Sequence, residues 1–305
     1  MIAAQHLRKH YRGTTAVDDI SFTVETGKVT GFLGPNGAGK STTMRLMLGL
    51  DRGEGQTTYD GKPLHSYPQP SKVVGILLEA KAFHPTRLAK RHLKVLAAAG
   101  SIPDSRVGEV LEMVGLTSVA SKTPGKFSLG MSQRLGLAAA ILGNPKYLIL
   151  DEPANGLDPE GIVWLREFLK AYADKGNAVF VSSHLLSEMA LMADNVVVIG
   201  KGKVIANTSI QELTSSSTHA SVIVRSAKTS QLERMLKEAS LEYTKSGSAL
   251  KVVGTSTDKI GEMAFDAGIP ILELAAHNAS LEDVFLDLTE GSEEYRGTTK
   301  KGGKR

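Results

Sequence analysis

The sequence predicts an α/β fold made of two domains. Apolar segments of strand length alternate with segments of helical periodicity along the first two hundred residues. The length of 305 residues, at about 150 residues per domain, also favours two domains. The alternation resumes after the polar stretch 214–218. We therefore expect a larger domain over residues 1–213 and a smaller α/β domain over residues 219–290.

The elements of the larger domain follow one another in a regular order. Residues 20–24 alternate apolar and polar side chains and end at Thr26-Gly27, which predicts a half-buried strand. Further strands are predicted at 28–33, 57–59, 73–78, 147–150, 178–181, 196–199 and 204–206. Helical spacing predicts helices at 40–50 and 158–174 and a helical subdomain at about 86–143. Strands joined by crossover helices, with a helical insertion, imply an α/β fold.

The smaller domain repeats the pattern without a catalytic motif. Strands are predicted at 221–224, 250–253 and 271–274, and helices at 231–239, 259–267 and 281–288. The final residues, 291–305, are predicted to form a disordered basic tail, because the last ten contain five Lys and Arg and no acid.

Composition excludes several classes of protein and site. The absence of cysteine rules out disulfides, thiolate metal sites and cysteine nucleophiles. Of the net charge of +4, the last ten residues contribute +5, which leaves −1 for the rest; we therefore expect no nucleic-acid partner. No secretory signal is visible at the start. No apolar run approaches the ~18 residues of a membrane span, so we expect that the chain itself does not cross a membrane.

A glycine-rich sequence follows the predicted strand 28–33. It fits the phosphate-loop pattern G-x-x-x-x-G-K-[ST] and reads Gly34-Pro35-Asn36-Gly37-Ala38-Gly39-Lys40-Ser41. Glycines let consecutive backbone N–H groups surround phosphate oxygens, and the following helix N-terminus favours negative charge. Lys40 is expected to bridge the outer phosphates and Ser41 to ligate Mg²⁺. The sequence therefore predicts a nucleoside triphosphate site.

Two carboxylates end the predicted strand 147–150. Asp151 and Glu152 follow four apolar residues, and ligands bind at the carboxyl ends of strands in open α/β sheets. Asp151 is placed to hold Mg²⁺ through its hydration shell. Glu152 is placed to orient or deprotonate the attacking water.

A polar cluster ends the predicted strand 178–181. It reads Ser182-Ser183-His184. A histidine at this edge is suited to hydrogen-bond the γ-phosphate and the general base. From the residues alone, a strand-end cap is the favoured interpretation of His184.

Together these motifs resemble a known family. Residues 1 to about 213 look like the nucleotide-binding subunit of an ATP-binding cassette (ABC) transporter. The sequence Phe127-Ser128-Leu129-Gly130-Met131-Ser132-Gln133-Arg134 is similar to the signature of that family. Asn155-Gly156-Leu157-Asp158 resembles its dimer-contact loop, and His184 falls where its switch histidine is expected. All of these elements occur in the family order.

The resemblance implies a fold, a cofactor set and a mode of assembly. It implies a RecA-like P-loop NTPase core with an N-terminal β subdomain, and ATP with Mg²⁺ held by Ser41 and Asp151. Tyr11 resembles the aromatic residue that stacks on adenine, and Thr42 continues the phosphate loop. Ser128 and Gly130 would close on the γ-phosphate of ATP held by a second copy of the chain. The expected assembly is a homodimer with two ATP molecules at its interface.

Three positions depart from the family pattern. Leu129 replaces the first signature glycine, and Met131 replaces a glutamine. Glu79 stands where the family usually has a metal-contacting glutamine, so it either ligates Mg²⁺ or faces the membrane partner. The signature variant and the segment 281–289 together resemble the branch that exports drugs, peptide antibiotics or lipids.

The sequence thus predicts an ATPase subunit of a bacterial-type exporter. Glu152 and His184 are its expected catalytic residues. A chain without a membrane span would need a separate integral-membrane permease, at the cytoplasmic face of the cell membrane. Alternatives are an importer ATPase, or a soluble cassette protein that acts on ribosomes or DNA. The transported substrate is not encoded here, because the membrane subunit recognises it.

Overall fold

The computed structural model describes residues 1–215, 221–277 and 280–289. They form two compact units, Met1–Thr208 and Ser209–Leu288. The basic tail predicted at 291–305 lies outside the described residues. Within the described ranges, no helix combines the length and the apolar character that crossing a membrane requires.

The first unit contains two sheets and a set of helices. In chain order its strands are β1 (Ile2–Tyr11), β2 (Thr14–Val24), β3 (Val29–Leu33), β4 (Glu54–Tyr59), β5 (Lys62–Pro63), β6 (Val74–Leu77), β7 (Tyr147–Leu150), β8 (Ala178–Ser182), β9 (Asn195–Gly200) and β10 (Lys203–Ser209). Its helices are α1 (Lys40–Met47), α2 (Ala89–Ala99), α3 (Ser105–Met113), α4 (Leu129–Ala140), α5 (Pro159–Asp174) and α6 (Leu186–Met192). The predicted α/β fold is confirmed.

The two sheets differ in strand direction. The smaller one has the order β2-β1-β4-β5, with antiparallel pairs. The larger one has the order β10-β9-β3-β8-β7-β6, and β6, β7, β8, β3 and β9 pair in parallel. Every residue of β3, β7 and β8 is buried, as expected for parallel strands covered on both faces. The loops after these three strands therefore meet at one edge of the sheet.

Aromatic rings join the two sheets in the core. Phe22 of β2 lies 5.2 Å from Phe180 of β8, measured between ring centroids, and Phe180 lies 4.9 Å from Phe32 of β3. All three side chains are buried. This packing fixes β3 and β8 beneath the edge at which the loops meet.

Side-chain caps set the starts of two helices near that edge. Ser128 precedes α4, and its Oγ accepts a hydrogen bond from the backbone N–H of Met131 at 3.1 Å. Asp158 precedes α5 and accepts from the N–H of Gly161 at 2.9 Å. Each cap satisfies one of the N–H groups that a helix start leaves without an intrahelical partner.

The second unit is an antiparallel sheet with helices. Its elements are α7 (Ile210–Ser215), β11 (Ser221–Ser226), α8 (Thr229–Glu238), β12 (Tyr243–Ser246), β13 (Ala249–Val253), α9 (Thr257–Asp266), β14 (Ile271–His277) and α10 (Leu281–Thr289). The strand order is β12-β13-β11-β14, and all pairs are antiparallel. A β-α-β-β-α-β order with this pairing is the ferredoxin-like arrangement. The alternation in sequence predicted β11, β13, β14 and the three helices after β11, but it predicted neither the short strand β12 nor the direction of the strands.

The polar stretch predicted as a boundary is partly helical. Thr214 and Ser215 belong to α7, while residues 216–218 lie outside the described part of the chain. Thr214 Oγ1 donates to the carbonyl of Ile210 at 2.9 Å, and Ser209 Oγ accepts from the N–H of Glu212 at 3.1 Å. Local hydroxyl bonds of this kind let a short polar segment form a helical turn.

Candidate active site

The phosphate loop connects β3 to α1 in a conformation that requires glycine. Gly39 caps α1 with φ +102°, and a Cβ there would lie 2.3 Å from the carbonyl oxygen of Ala16. A Cβ at Gly34 would lie 2.6 Å from the carbonyl oxygen of Ile199. Both contacts are shorter than real Cβ atoms tolerate, so the loop keeps its shape only with glycine at these positions.

Lys40 lies within the curve of this loop. Its Nζ donates to the carbonyl of Gly34 at 2.6 Å and to that of Pro35 at 3.2 Å. Burial lowers the pKa of Lys40, and the nearby Glu152 and Asp151 oppose that effect. The loop thus holds an ammonium group beside N–H groups, which suits a phosphate chain.

Asp151 joins three chain segments at the end of β7. Ser41 Oγ donates to Asp151 Oδ2 at 2.5 Å, and Ser182 Oγ donates to Asp151 Oδ1 at 2.5 Å. Hydroxyl and carboxylate oxygens are the hard ligands that Mg²⁺ prefers, and Mg²⁺ commonly takes one or two carboxylates plus substrate phosphates. Accordingly, the described residues contain no group of three or more His, Asp or Glu that would hold a metal unaided. The donors present fit Mg²⁺ bound together with a nucleotide.

Glu152 has an unusual backbone conformation that neighbouring residues hold at both ends. Its φ is +49°, a left-handed value that costs energy for a residue with a side chain. Its N–H donates to Ser182 Oγ at 2.9 Å, and its carbonyl accepts from Gln133 Nε2 at 3.1 Å. This conformation directs the Glu152 side chain toward His184.

His184 contacts the Glu152 carboxylate directly. Its Nδ1 lies 2.6 Å from Glu152 Oε2, and its backbone N–H donates to the same oxygen at 3.3 Å. This contact links the imidazole ring of His184 to the carboxylate of Glu152.

The loop and the two carboxylates line one open cavity of about 380 Å³. Its lining residues are Ala16, Asn36, Gly37, Gly39, Lys40, Ser41, Thr42, Leu78, Asp151 and Glu152. The structure thus brings together most of the phosphate-loop residues and both carboxylates. His184 adjoins this group through Glu152.

The signature residues lie outside the cavity that the phosphate loop lines. Ser128 and Gly130 are outside the lining of the cavity, and Gly130 packs near the loop 155–158. A Cβ at Gly130 would lie 3.0 Å from the carbonyl oxygen of Gly156, and the Leu129 side chain occupies the space above Gly156. This separation is what a site completed by a second chain requires.

Tyr11 is also outside the cavity lining. Its hydroxyl donates to Asp51 Oδ2 at 3.3 Å, and Lys9 Nζ lies 4.9 Å from the ring centroid. Asp51 in turn pairs with Arg45 through two hydrogen bonds of 3.1 Å. The ring is half exposed, so it is accessible to a stacking partner.

Glu79 lines a different cavity from the phosphate loop. This cavity of about 480 Å³ lies beside β6, and Arg45, Phe83, His92 and Leu96 also line it. Of the two roles that the sequence left open for Glu79, this position favours contact with a partner over contact with Mg²⁺.

The sequence motifs contained two residues to which we assigned no role. Ser182 bridges Asp151 and the backbone of Glu152, and Gln133 bonds the Glu152 carbonyl. The position of Ser182 at the end of a buried strand was the available signal for it. For Gln133 the sequence held no signal beyond its place in the signature, because its partner Glu152 lies 19 residues away.

Comparison with known proteins identifies the family. A model described as ABC transporter matches residues 17–155, and a domain of unknown function matches residues 220–282. The uncharacterized ABC transporter ATP-binding protein YhcH of Bacillus subtilis is 36% identical over 96% of this chain and 97% of its own length. The bacitracin transport ATP-binding protein BcrA of Bacillus licheniformis is 34% identical over 95% and 98%.

A shorter relative and two solved structures each match about two thirds of the chain. The lantibiotic transport ATP-binding protein SrtF of Streptococcus pyogenes is 36% identical over 67% of this chain and 89% of its own. A structure of an ATP-binding subunit of an ABC transporter superposes with a TM-score of 0.64 at 27% identity, covering 70% of this chain and 91% of that one. A dimeric bacterial ABC transporter cassette gives 0.63 at 22% identity, covering 69% and 99%, and shows the shared fold.

Proposed function

The chain belongs to the ATP-binding proteins of ABC transporters, and from that premise we propose that its ATP hydrolysis drives export of a drug, peptide antibiotic or lipid through a separate membrane subunit. The observation that carries the hydrolytic role is the pairing of Glu152 with His184 beside the phosphate loop. The likeness to BcrA over 98% of the length of that protein carries the exporter role, because it includes the second unit.

The residues of the site divide the chemical work among them. Lys40 and the loop N–H groups bind the phosphates. Ser41 and Asp151 would hold Mg²⁺, which when bound would neutralise charge on the phosphates. Glu152 takes the proton of the attacking water. His184 holds the Glu152 carboxylate in place through its Nδ1 at 2.6 Å. Ser128 and Gly130 of a second copy of the chain complete each site.

The groove that contains Glu79 is the proposed contact for the membrane subunit. It combines a carboxylate with exposed apolar side chains such as Ile76 and Leu96, which suits a helix with basic and apolar residues. Binding there would hold the chain at the cytoplasmic face of the cell membrane.

The hydrolytic role predicts that Glu152→Gln stops turnover without preventing ATP binding. The amide still holds a water but cannot accept its proton, so we expect the ATPase rate to fall by about 100-fold or more. ATP should then trap a dimer, and light scattering should report a doubled mass. Glu25→Gln is the matched control, because Glu25 is an exposed acid paired with Lys28 on the surface. A variant at Glu152 that hydrolyses ATP at the wild-type rate would refute the assignment.

The exporter role is tested with the membrane partner. When the chain is co-expressed with a candidate permease, it should move from the soluble to the membrane fraction, and cells should survive a higher dose of the exported compound. The Glu152→Gln variant should still move to the membrane fraction but give no protection. Protection that persists in this variant would contradict transport driven by ATP hydrolysis.

A further inference from the structure

We propose that Gln133 is a positioning residue that holds Glu152 in its catalytic conformation. The proposal rests on the proposed role of Glu152 as the base. Gln133 does not touch the nucleotide in this assignment; it acts through the backbone carbonyl of Glu152.

The backbone at Glu152 is held from both sides in a strained conformation. Its φ of +49° lies in the left-handed region, where a residue with a Cβ stays only if its surroundings impose that conformation. Ser182 Oγ fixes the N–H side of the residue at 2.9 Å. Gln133 Nε2 fixes the carbonyl side at 3.1 Å. Removal of either bond frees one end of the residue that carries the base.

The side chain of Gln133 is buried with one end of its amide unpaired. Its side chain is only 5% exposed, although glutamine is a residue that usually faces solvent. In the described part of the chain, Gln133 Oε1 is a buried atom without a hydrogen-bond partner. A buried amide with one unpaired end is unfavourable for stability. The structure therefore keeps this amide at a cost, and the bond that it makes is to the Glu152 carbonyl.

The helix that bears Gln133 is itself fixed by contacts with its neighbours. Gln133 lies on α4, one turn after the cap Ser128. Its neighbour Arg134 lies over the Trp164 ring at 4.2 Å and donates to the carbonyl of Val114 at 3.1 Å. These contacts fix α4 next to α5, so Gln133 approaches Glu152 from a fixed support rather than from a loop. A donor on a fixed support can hold a strained carbonyl in one orientation.

The test compares two substitutions of similar length. Gln133→Glu replaces the donor Nε2 with a carboxylate oxygen, which repels the Glu152 carbonyl at high pH. Gln133→Met removes the donor and also removes the unpaired Oε1. We expect kcat to fall by about 100-fold in both variants, as for a base displaced by about 1 Å, while KM for ATP changes by less than about twofold.

The pH profile separates positioning from a general packing role. Protonation of the introduced carboxyl restores an O–H donor, so the activity of Gln133→Glu relative to wild type should rise as the pH falls from 8 to 6. Gln133→Met has no such group and should show no rise. Thr57→Val is the control for removing a buried, unpaired polar atom, because Thr57 Oγ1 is also unpaired and lies in β4.

The possible outcomes are distinct. If either folded variant keeps kcat within about twofold of wild type, or raises KM with kcat unchanged, the positioning role is wrong. Gln133→Met decides the matter if Gln133→Glu does not fold. If Glu152→Gln retains activity, the proposed base itself is wrong, and that failure is visible without any Gln133 variant.

Discussion

Glu79 shares its cavity with a basic residue, Arg45. The carboxylate of Asp51 raises the pKa of Arg45, and Tyr11 and Glu79 add smaller contributions. Ser41 and Asp151 line a different cavity. We therefore propose that Glu79 faces a partner rather than Mg²⁺.

Glu79→Gln should therefore leave the isolated subunit almost unchanged. We expect its ATPase rate and its Mg²⁺ dependence to match wild type within about twofold, because the cavity of Glu79 is not the one that Asp151 lines. In the assembled transporter, stimulation of the ATPase by the membrane subunit should weaken. A titration of Mg²⁺ decides between the two roles: a large rise in the Mg²⁺ requirement of the isolated variant would place Glu79 on the metal.

At the scale of elements, buried apolar runs were predictable and irregular strands were not. β7 has the predicted bounds, because four buried apolar residues stand between polar neighbours. β1 was not predicted as a strand, and its pairing shows why. Register shifts follow Ala4 and Leu7, and His6 has φ +52°. Such bulges break the two-residue alternation that a sequence pattern depends on.

The parts of the site formed by consecutive residues were predictable from the sequence, and the contacts between distant residues were not. The phosphate loop and the Asp151-Glu152 pair are local motifs, so their chemistry is visible in consecutive residues. The bonds from Ser182 and Gln133 join residues that are 30 and 19 positions from Glu152. The first bond depends on which strands are neighbours and the second on how helix α4 packs against the sheet, and one sequence specifies neither.

Helix α2 contains a buried histidine that should make stability depend on pH. His92 is 7% exposed, packs edge-on against Phe83, and its Nδ1 has no partner in the described part of the chain. Burial lowers the pKa of His92, and Arg87 lowers it further. The unfolded chain then binds a proton at higher pH than the folded chain. Stability is therefore lost as the pH falls through the unfolded value of about 6.5.

His92→Leu should flatten this dependence. Between pH 7.5 and 5.5, we expect the wild-type unfolding temperature to fall more than that of the variant, because leucine cannot bind a proton. Thermal unfolding at several pH values measures the difference. His65→Leu is the control, since His65 is an exposed histidine. Parallel pH curves for wild type and His92→Leu would contradict a buried, neutral His92.

Each chain is proposed to contribute one half to each of two ATP sites: its phosphate loop to one site and its signature residues to the other. The cavity next to Lys40 is open, and Ser128 caps a helix outside its lining. A homodimer with twofold symmetry would place Ser128 of one chain against the nucleotide held by Lys40 of the other. Two defective chains should therefore complement each other if their defects fall on different halves of the site.

A mixture of Lys40→Ala and Ser128→Arg chains should regain activity. Each variant alone gives dimers in which both sites are defective: the first loses its charge-assisted phosphate contact, and the second blocks the opposite half-site. In a mixed dimer, one site combines Lys40 of one chain with Ser128 of the other, and both are intact. Random mixing makes half of the dimers mixed, each with one intact site, so about a quarter of the wild-type rate is expected.

Differently tagged chains purified in sequence verify that mixed dimers form. Inactive mixed dimers would have one of two causes: the two halves of a site come from the same chain, or the two sites hydrolyse ATP only together. A covalently linked dimer with a single Lys40→Ala substitution distinguishes these causes. It loses all activity only if the two sites hydrolyse ATP together.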